Sequence, residues 1–352
     1  MTDACQKIFF FANFAPSLCS LRLNFINVLR YNPIIQNINS KLFSEKRINV
    51  SVLRLDLIHS QISGNKWFKL KNNLEEAKRL RIDTILTFGG AFSNHIHATA
   101  AACKEFGFKS IGVIRGEKES ENNFTLNDAK NFGMNLHFVS RESYRKKNES
   151  DFIEALRKIF GNFYLVPEGG HNYLGSLGCA DILNGIENFD YVFCSCGTTA
   201  TFSGLAKSIK SGQSLIGISA LKGEGNLVEV AQEMINKIRA KEDFKICGTS
   251  ELMNGDFIKE SGIINTYHFG GFAKHTDELL KFKNDFEKEN QIPLDYIYEA
   301  KLMYAVTDLI SKNKIPDGSA IIVIHGGGLQ GNKGYEERYS LKPNLNVNDI
   351  QG

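Results

Sequence analysis

The chain has little that would tie it to nucleic acid, to a bilayer or to an oxidising compartment. Its formal net charge is only +3, so no strong field draws it to polyanions or anionic lipid. Its basic residues are scattered through Lys/Glu-mixed stretches and form no stripe with interleaved aromatics, the footprint of a nucleic-acid binder. The seven cysteines, at 5, 19, 103, 179, 194, 196 and 247, are odd in number and include no C-x-x-C pair. That argues against a disulfide framework or a zinc knuckle and favours a reducing cytoplasm. Cys194 and Cys196 would face the same way on a strand, but no further ligands stand at metal spacing, so they read as packed thiols and no metal is expected. Internal repeats and low-complexity linkers are also missing. Residues 8–15, the aromatic-rich run Ile-Phe-Phe-Phe-Ala-Asn-Phe-Ala, are too few to span a bilayer. No clean small-residue cleavage site follows, and Arg22 interrupts any longer apolar segment. Residues 1–32 are therefore expected to be a disordered extension outside the folded body, or the product of an upstream start codon.

What is present is ordinary for a globular protein. The 352 residues, 42% hydrophobic and 23% charged, suffice for one large or two ordinary domains with a sizeable core. Residues 50–57 alternate like a strand. Residues 84–88, 110–115, 136–139 and 163–166 are further short apolar runs, with helical segments such as 98–106 between them. A second series begins at Tyr191, continues through residues 215–219 and ends on residues 320–325. This alternation suits βαβ crossovers, so the expected class is α/β, with parallel-rich sheets covered by helices. Two such units would place a ligand in the cleft between them, at the carboxyl ends of the strands.

Four stretches carry candidate chemistry. In residues 63–74, Ser-Gly-Asn-Lys-Trp-Phe-Lys-Leu-Lys-Asn-Asn-Leu, a flexible turn delivers Lys66 to the start of a helix whose apolar residues Leu70, Leu74 and Ala77 recur at helical spacing. The positive end of a helix dipole favours the neutral amine that condenses with an aldehyde, so Lys66 is a candidate covalent anchor; the competing reading is a solvated lysine. The turn Ser195-Cys196-Gly197-Thr198-Thr199-Ala200-Thr201 joins a strand to a helix and suits a phosphate cup, or simply a tight turn. A second strand-to-helix turn, Gly89-Gly90-Ala91-Phe92-Ser93-Asn94-His95, offers donors suited to a carboxylate, while Ser93 or Asn94 also serves as a helix N-cap. Tyr298 and Glu299 precede a helix; a carboxylate there can face a heterocyclic nitrogen and the phenol can act as acid, base or nucleophile, or Glu299 is a plain first-turn residue. Gly326-Gly327-Gly328-Leu329-Gln330-Gly331 imitates a dinucleotide fingerprint, but only 21 residues follow it, too few for the rest of that unit. It reads as a close-approach loop.

Taken in order, these motifs resemble the 1-aminocyclopropane-1-carboxylate deaminase and D-cysteine desulfhydrase family, from about Pro33 to Tyr335. Gly64-Asn65-Lys66, Val166-Pro167-Glu168-Gly169-Gly170, Leu174-Gly175-Ser176-Leu177-Gly178 and Tyr298-Glu299-Ala300-Lys301 carry the likeness. The resemblance implies the two-domain tryptophan-synthase-β-like fold (fold type II), with 33–73 and 174–352 as the large cofactor-binding domain and 74–173 as the small one. It implies a cytoplasmic homodimer that uses pyridoxal 5'-phosphate to convert a small amino acid to a 2-oxo acid and ammonia. The alternative is a catalytically silent protein holding that cofactor, or another phosphorylated ligand, on the same scaffold.

By the same resemblance, Lys66 anchors the cofactor and moves protons, and Asn94 bonds the ring hydroxyl. Ser93 and His95, beside Asn94, hold the substrate carboxylate. Gly197, Thr198, Thr199, Ala200 and Thr201 bind the phosphate, with Lys69 adding charge. Glu299 pairs with the pyridine nitrogen, and Tyr298 faces the substrate. Within the family, Glu299 resembles the deaminases and His95 the desulfhydrases. The tyrosine that deaminases carry in the segment His268-Phe269-Gly270-Gly271 is matched by Phe269, and Gly326 stands where the family has Leu or Thr.

Overall fold

The computed structural model describes residues 32–116, 123–223, 225–239 and 244–341; the expected extension falls almost wholly outside them, as do Cys5 and Cys19. The described residues hold ten strands: β1 (Ile35–Asn37), β2 (Asn49–Arg54), β3 (Thr84–Gly90), β4 (Lys109–Arg115), β5 (Met134–Val139), β6 (Tyr164–Val166), β7 (Tyr191–Cys196), β8 (Ser214–Ser219), β9 (Gly262–Ile264) and β10 (Ala320–His325). They form a six-stranded sheet in the order β1-β2-β10-β7-β8-β9 and a four-stranded sheet in the order β5-β4-β3-β6. Every pairing is parallel except β1 with β2.

Central strands buried on both faces need unbroken apolar runs, and Ile321, Ile322, Val323 and Ile324 of β10 are all buried. The helix Glu299–Ser311 packs Leu302, Val306 and Leu309 over Val52, Phe193 and Val323 of that sheet. In the smaller sheet alternate residues supply two cores, one around Leu86, Phe88 and Val113, the other joining Ile114 to Ile96 and Ala100 of the helix Asn94–Phe106.

Three elements depart from the sequence reading. β2 ends at Arg54, and Leu55–Leu57 turn into a 3-10 helix, so the alternation that reads as strand beyond Arg54 is a bend that buries Leu55 and Asp56. β1 and β9 have three residues each, too few for a periodic signal, and exist because a longer neighbour offers an edge.

Helix packing sets the positions of the candidate motifs. The helix Asn65–Arg79 lies against Tyr173–Cys179, which lies against Ala200–Ser208. A Cβ at Gly178 would stand 2.0 Å from Phe68 O, and one at Gly204 2.2 Å from Ser176 O, so these backbones touch. Gly64, with φ 70° and ψ −150°, occupies a region open essentially to glycine alone, and a Cβ there would lie 1.9 Å from Gly326 O. Gly64→Ala is expected to cost about 3 kcal/mol from strain and overlap together. Denaturant unfolding checks this, and an unchanged midpoint would contradict the contact.

Candidate active site

The lysine turn and the threonine turn meet through one side chain. Lys66 Nζ donates to Asn65 Oδ1 (2.6 Å), and Asn65 Nδ2 donates to Thr201 Oγ1 (3.0 Å). Lys66 is half-buried as a residue. Desolvation first, and the neighbouring Lys69 charge second, bring its pKa down to about 7, against the opposing pull of Asp295 and Glu299. Burial therefore replaces the helix dipole as the main reason for a neutral amine. Lys69, 5% exposed, is also depressed by burial, and the other groups acting on it are the thiols Cys179, Cys196 and Cys194, not a carboxylate.

At the end of β7, Thr199 sits in the left-handed region (φ 59°) immediately before the helix Ala200–Ser208. A β-branched residue held there marks local strain, and such turns point successive N–H groups into a concavity. Thr198 Oγ1 is buried without a hydrogen-bond partner, and so is Ser176 Oγ on the helix Tyr173–Cys179. A Cβ at Gly169 would lie 2.7 Å from Thr198 Cγ2, so the Gly169-Gly170 turn walls this side.

On the smaller sheet, Ser93 is the N-cap of the helix Asn94–Phe106, its Oγ accepting from Ile96 N–H (3.3 Å); its own proton stays available. Asn94 Oδ1 accepts from Gln330 Nε2 (2.9 Å), which leaves Nδ2 as the donor of Asn94. His95 Nε2 lies 2.9 Å from Thr87 Oγ1, whose single proton goes to Val166 O (2.8 Å). That pairing places the ring proton on Nε2 and leaves the buried Nδ1 without a hydrogen bond, with the Pro167 carbonyl as the neighbouring group that would draw the proton to the ring. Burial, with Lys66 and Lys69 nearby, pushes His95 down to about 3, so the ring is neutral. As an acceptor, Nδ1 is a poor partner for the carboxylate that the resemblance assigns it; Ser93 Oγ is the better donor.

Glu299 is 2% exposed and accepts from Ser195 Oγ and Gly326 N–H, both 3.1 Å. Its pKa rises to about 7, chiefly by burial, with His325 pulling down and Asp295 pushing up. Asp295, equally hidden, caps the start of this helix by accepting from the N–H groups of Ile297, Tyr298 and Glu299. Burial pushes the Tyr298 phenol far above its ordinary value, so at neutral pH it is a proton donor rather than a phenolate nucleophile.

The wall beside Tyr298 differs from the sequence reading. Phe269 turns into the core and meets Tyr304 edge-on at 4.8 Å, while Phe272 faces Tyr298 at 6.1 Å. Gly270 and Gly271, both at positive φ, reverse the chain between the two aromatics, and Lys301 Nζ holds the turn by donating to His268 O and Gly271 O, each 2.8 Å. Asp295, Gln330 and Lys301 are structural members of the site without assigned roles in the sequence reading; an acid four residues ahead of Glu299 at a helix start is the one signal that marks Asp295.

The site residues thus include a low-pKa amine, an orphaned hydroxyl in a strained strand-to-helix turn and a hidden carboxylate. The chain belongs to the family of pyridoxal-phosphate dependent enzymes, whose model matches residues 38–327. The bifunctional D-cysteine desulfhydrase/1-aminocyclopropane-1-carboxylate deaminase of Arabidopsis thaliana is 27% identical over 304 residues, covering 80% of this chain and 72% of that one. A Pyrococcus horikoshii protein provisionally named a 1-aminocyclopropane-1-carboxylate deaminase is 27% identical over 296 residues, 82% of this chain and 87% of its own. Among solved structures, one described as an ACC deaminase homologue superposes with a TM-score of 0.74 at 24% identity, over 92% of this chain and 98% of its own, and shares the fold, the tryptophan-synthase-β-like fold type II. Among the described residues no helix is long and apolar enough to cross a membrane.

The residues present are of kinds that fit the family's cofactor: Thr198 Oγ1 and the 197–201 turn would hold a phosphate, Lys66 would meet an aldehyde, and Asn94 Nδ2 and Glu299 would hold the polar positions of a ring. Because Lys66 loses its proton near pH 7, covalent capture of added pyridoxal phosphate by the apoprotein should speed up as pH rises through about 7 and level off above it. Stopped-flow absorbance follows this, and a rate still climbing tenfold per pH unit at pH 9 would show an ordinary lysine.

Proposed function

We propose that the chain is a pyridoxal-phosphate-dependent lyase or deaminase that converts a small amino acid to a 2-oxo acid and ammonia with uptake of one water. The depressed amine of Lys66, tied through Asn65 to the Thr201 turn, carries this reading. The name of the Arabidopsis relative supports it. When bound, the cofactor supplies electron withdrawal from a bond at the substrate's α-carbon. Residues 33–73 and 174–352 would hold the cofactor, and residues 74–173 would supply the substrate-facing turn of Ser93 and Asn94.

In this reading Lys66 takes and returns the proton at the α-carbon as a base whose pKa matches the working pH. Ser93 Oγ donates to the substrate carboxylate from the helix N-terminus, where the dipole favours an anion. Asn94 and Glu299 hold the ring at its two polar positions, and the 197–201 turn with Lys69 holds the phosphate. Tyr298 presents a neutral phenol to the substrate side chain and can protonate a departing group.

Ring opening of 1-aminocyclopropane-1-carboxylate has no good leaving group and places heavier demands on acid catalysis. With Phe269 packed on Tyr304 and Phe272 lacking a hydroxyl, the phenol offered by this group of aromatics is that of Tyr298. An amino acid with a leaving group on its β-carbon, as in D-cysteine, is therefore the favoured substrate. The holoenzyme should release 2-oxo acid and sulfide from D-cysteine with kcat/KM at least about tenfold above that for the cyclopropane substrate, a factor in the range of one acid–base group. Lys66→Ala should abolish both. Folded, cofactor-loaded protein that produces no 2-oxo acid from either would overturn the proposal in favour of a silent binder.

A further inference from the structure

The turn that follows β6 meets the lysine helix and the threonine turn with three residues in succession. A Cβ at Gly169 would lie 2.7 Å from Thr198 Cγ2, one at Gly170 would lie 2.9 Å from Lys69 Cβ, and His171 Nε2 stands 3.3 Å from Thr199 Oγ1. Gly169 and Gly170 both lie at positive φ, 67° and 68°, and this pair of left-handed residues carries the chain back onto the end of β7. Thr199, 2% exposed, is the N-cap of the helix Ala200–Ser208, yet its side chain makes no capping hydrogen bond. An ordinary N-cap threonine spends its oxygen on the N–H two or three residues on. Here that oxygen meets the imidazole of His171 instead, and the N–H groups of the first turn are left uncapped by it.

Two further observations mark the same corner as lacking an anion. Lys69 is buried with no carboxylate among the groups that act on it, and Thr198 Oγ1 is buried with no hydrogen-bond partner. A phosphate dianion accepts hydrogen bonds and donates none. The contact between His171 and Thr199 can run in two directions, and a threonine hydroxyl has a single proton. If Thr199 donates that proton to a bare Nε2, its oxygen offers only lone pairs to anything else and an anion there is repelled. If Nε2–H donates to Oγ1, the proton of Thr199 is free for a second acceptor. Burial first, then Lys69 and Lys237, bring the His171 pKa down to about 4, so the ring is neutral and has one proton to place. A ligand that only accepts selects the second direction.

We infer that His171 is a positioning residue of the phosphate site, donating from Nε2 to Thr199 Oγ1 so that the Thr199 hydroxyl turns its own proton to the cofactor's phosphate. The inference rests on the reading that the 197–201 turn holds that phosphate. It gives a task to a side chain brought to the turn by the smaller sheet, and it accounts for an N-cap threonine that does not cap its own helix.

The test uses the full chain with pyridoxal phosphate and with pyridoxal, which has the same ring and aldehyde and no phosphate, each followed by absorbance. His171→Leu and Thr199→Val should each weaken binding of pyridoxal phosphate about tenfold, the scale of one hydrogen bond to a charged group, and leave pyridoxal unchanged. The double variant should bind no worse than either single one, because both remove the same bond. His171→Gln, whose amide N–H reaches the place of Nε2, should recover most of the affinity. Circular dichroism verifies that each variant is folded. In wild-type holoenzyme labelled with nitrogen-15 histidine, His171, assigned by through-bond correlation, should carry its proton on Nε2. Unchanged affinity for pyridoxal phosphate in folded His171→Leu, an equal loss for pyridoxal, or losses that add in the double variant would overturn the inference. A bare Nε2 in the wild type would overturn it even if no variant folds. These outcomes leave the proposed function standing wherever Lys66 captures the cofactor and 2-oxo acid is released. Wild-type protein that takes up no pyridoxal phosphate would overturn that function and this inference together.

Discussion

The backbone contact between the turn before Lys66 and the loop after β10 is the constraint on which the site depends. Asn65 N–H donates to Gly326 O at 3.1 Å while Gly64 presses on the same carbonyl. Because β2 and β10 are adjacent, this fixes the amine relative to the sheet ends. The loop then reaches the other site residues in turn: Gly326 N–H meets Glu299, a Cβ at Gly328 would lie 2.7 Å from Asn94 Nδ2, and Gln330 fixes the Asn94 amide. One glycine-rich segment thereby joins the lysine turn, the acid helix and the turn of the smaller sheet.

Electrostatics follow from that enclosure. Desolvation lowers Lys66 and raises Glu299 until both titrate near 7, which leaves an amine able to lose its proton and an acid able to share one. His95 is driven neutral and Tyr298 is kept protonated by the same burial. Burial thus sets the protonation states of four ordinary side chains in the way the proposed chemistry uses.

The sequence made the strand-helix alternation legible because β3, β4, β7, β8 and β10 are apolar runs bounded by turns, and Lys66, the Thr turn and the Ser-Asn turn are readable because small residues stand where strands end. Three-residue β1 and β9 lack any period to detect. The direction of Phe269 was not legible, since Gly270 and Gly271 decide it through backbone angles that composition does not reveal. Asp295 looks like a routine polar residue until the helix start folds onto it, the Arg54-Asp56 pair until Gln36 and His325 reach it, and the tautomer of His95 depends on Thr87, 8 residues before it, and on Val166, 79 residues beyond Thr87.

The central claim is that the amine at position 66, and no other, takes the cofactor aldehyde. Incubation of the full chain with pyridoxal phosphate, reduction with borohydride and peptide mass spectrometry tests it directly. The account predicts one added cofactor mass, carried by the peptide containing Lys66, and placed on Lys66 rather than Lys69 by fragmentation. A label on Lys69, labels spread over surface lysines, or no label at all would contradict it.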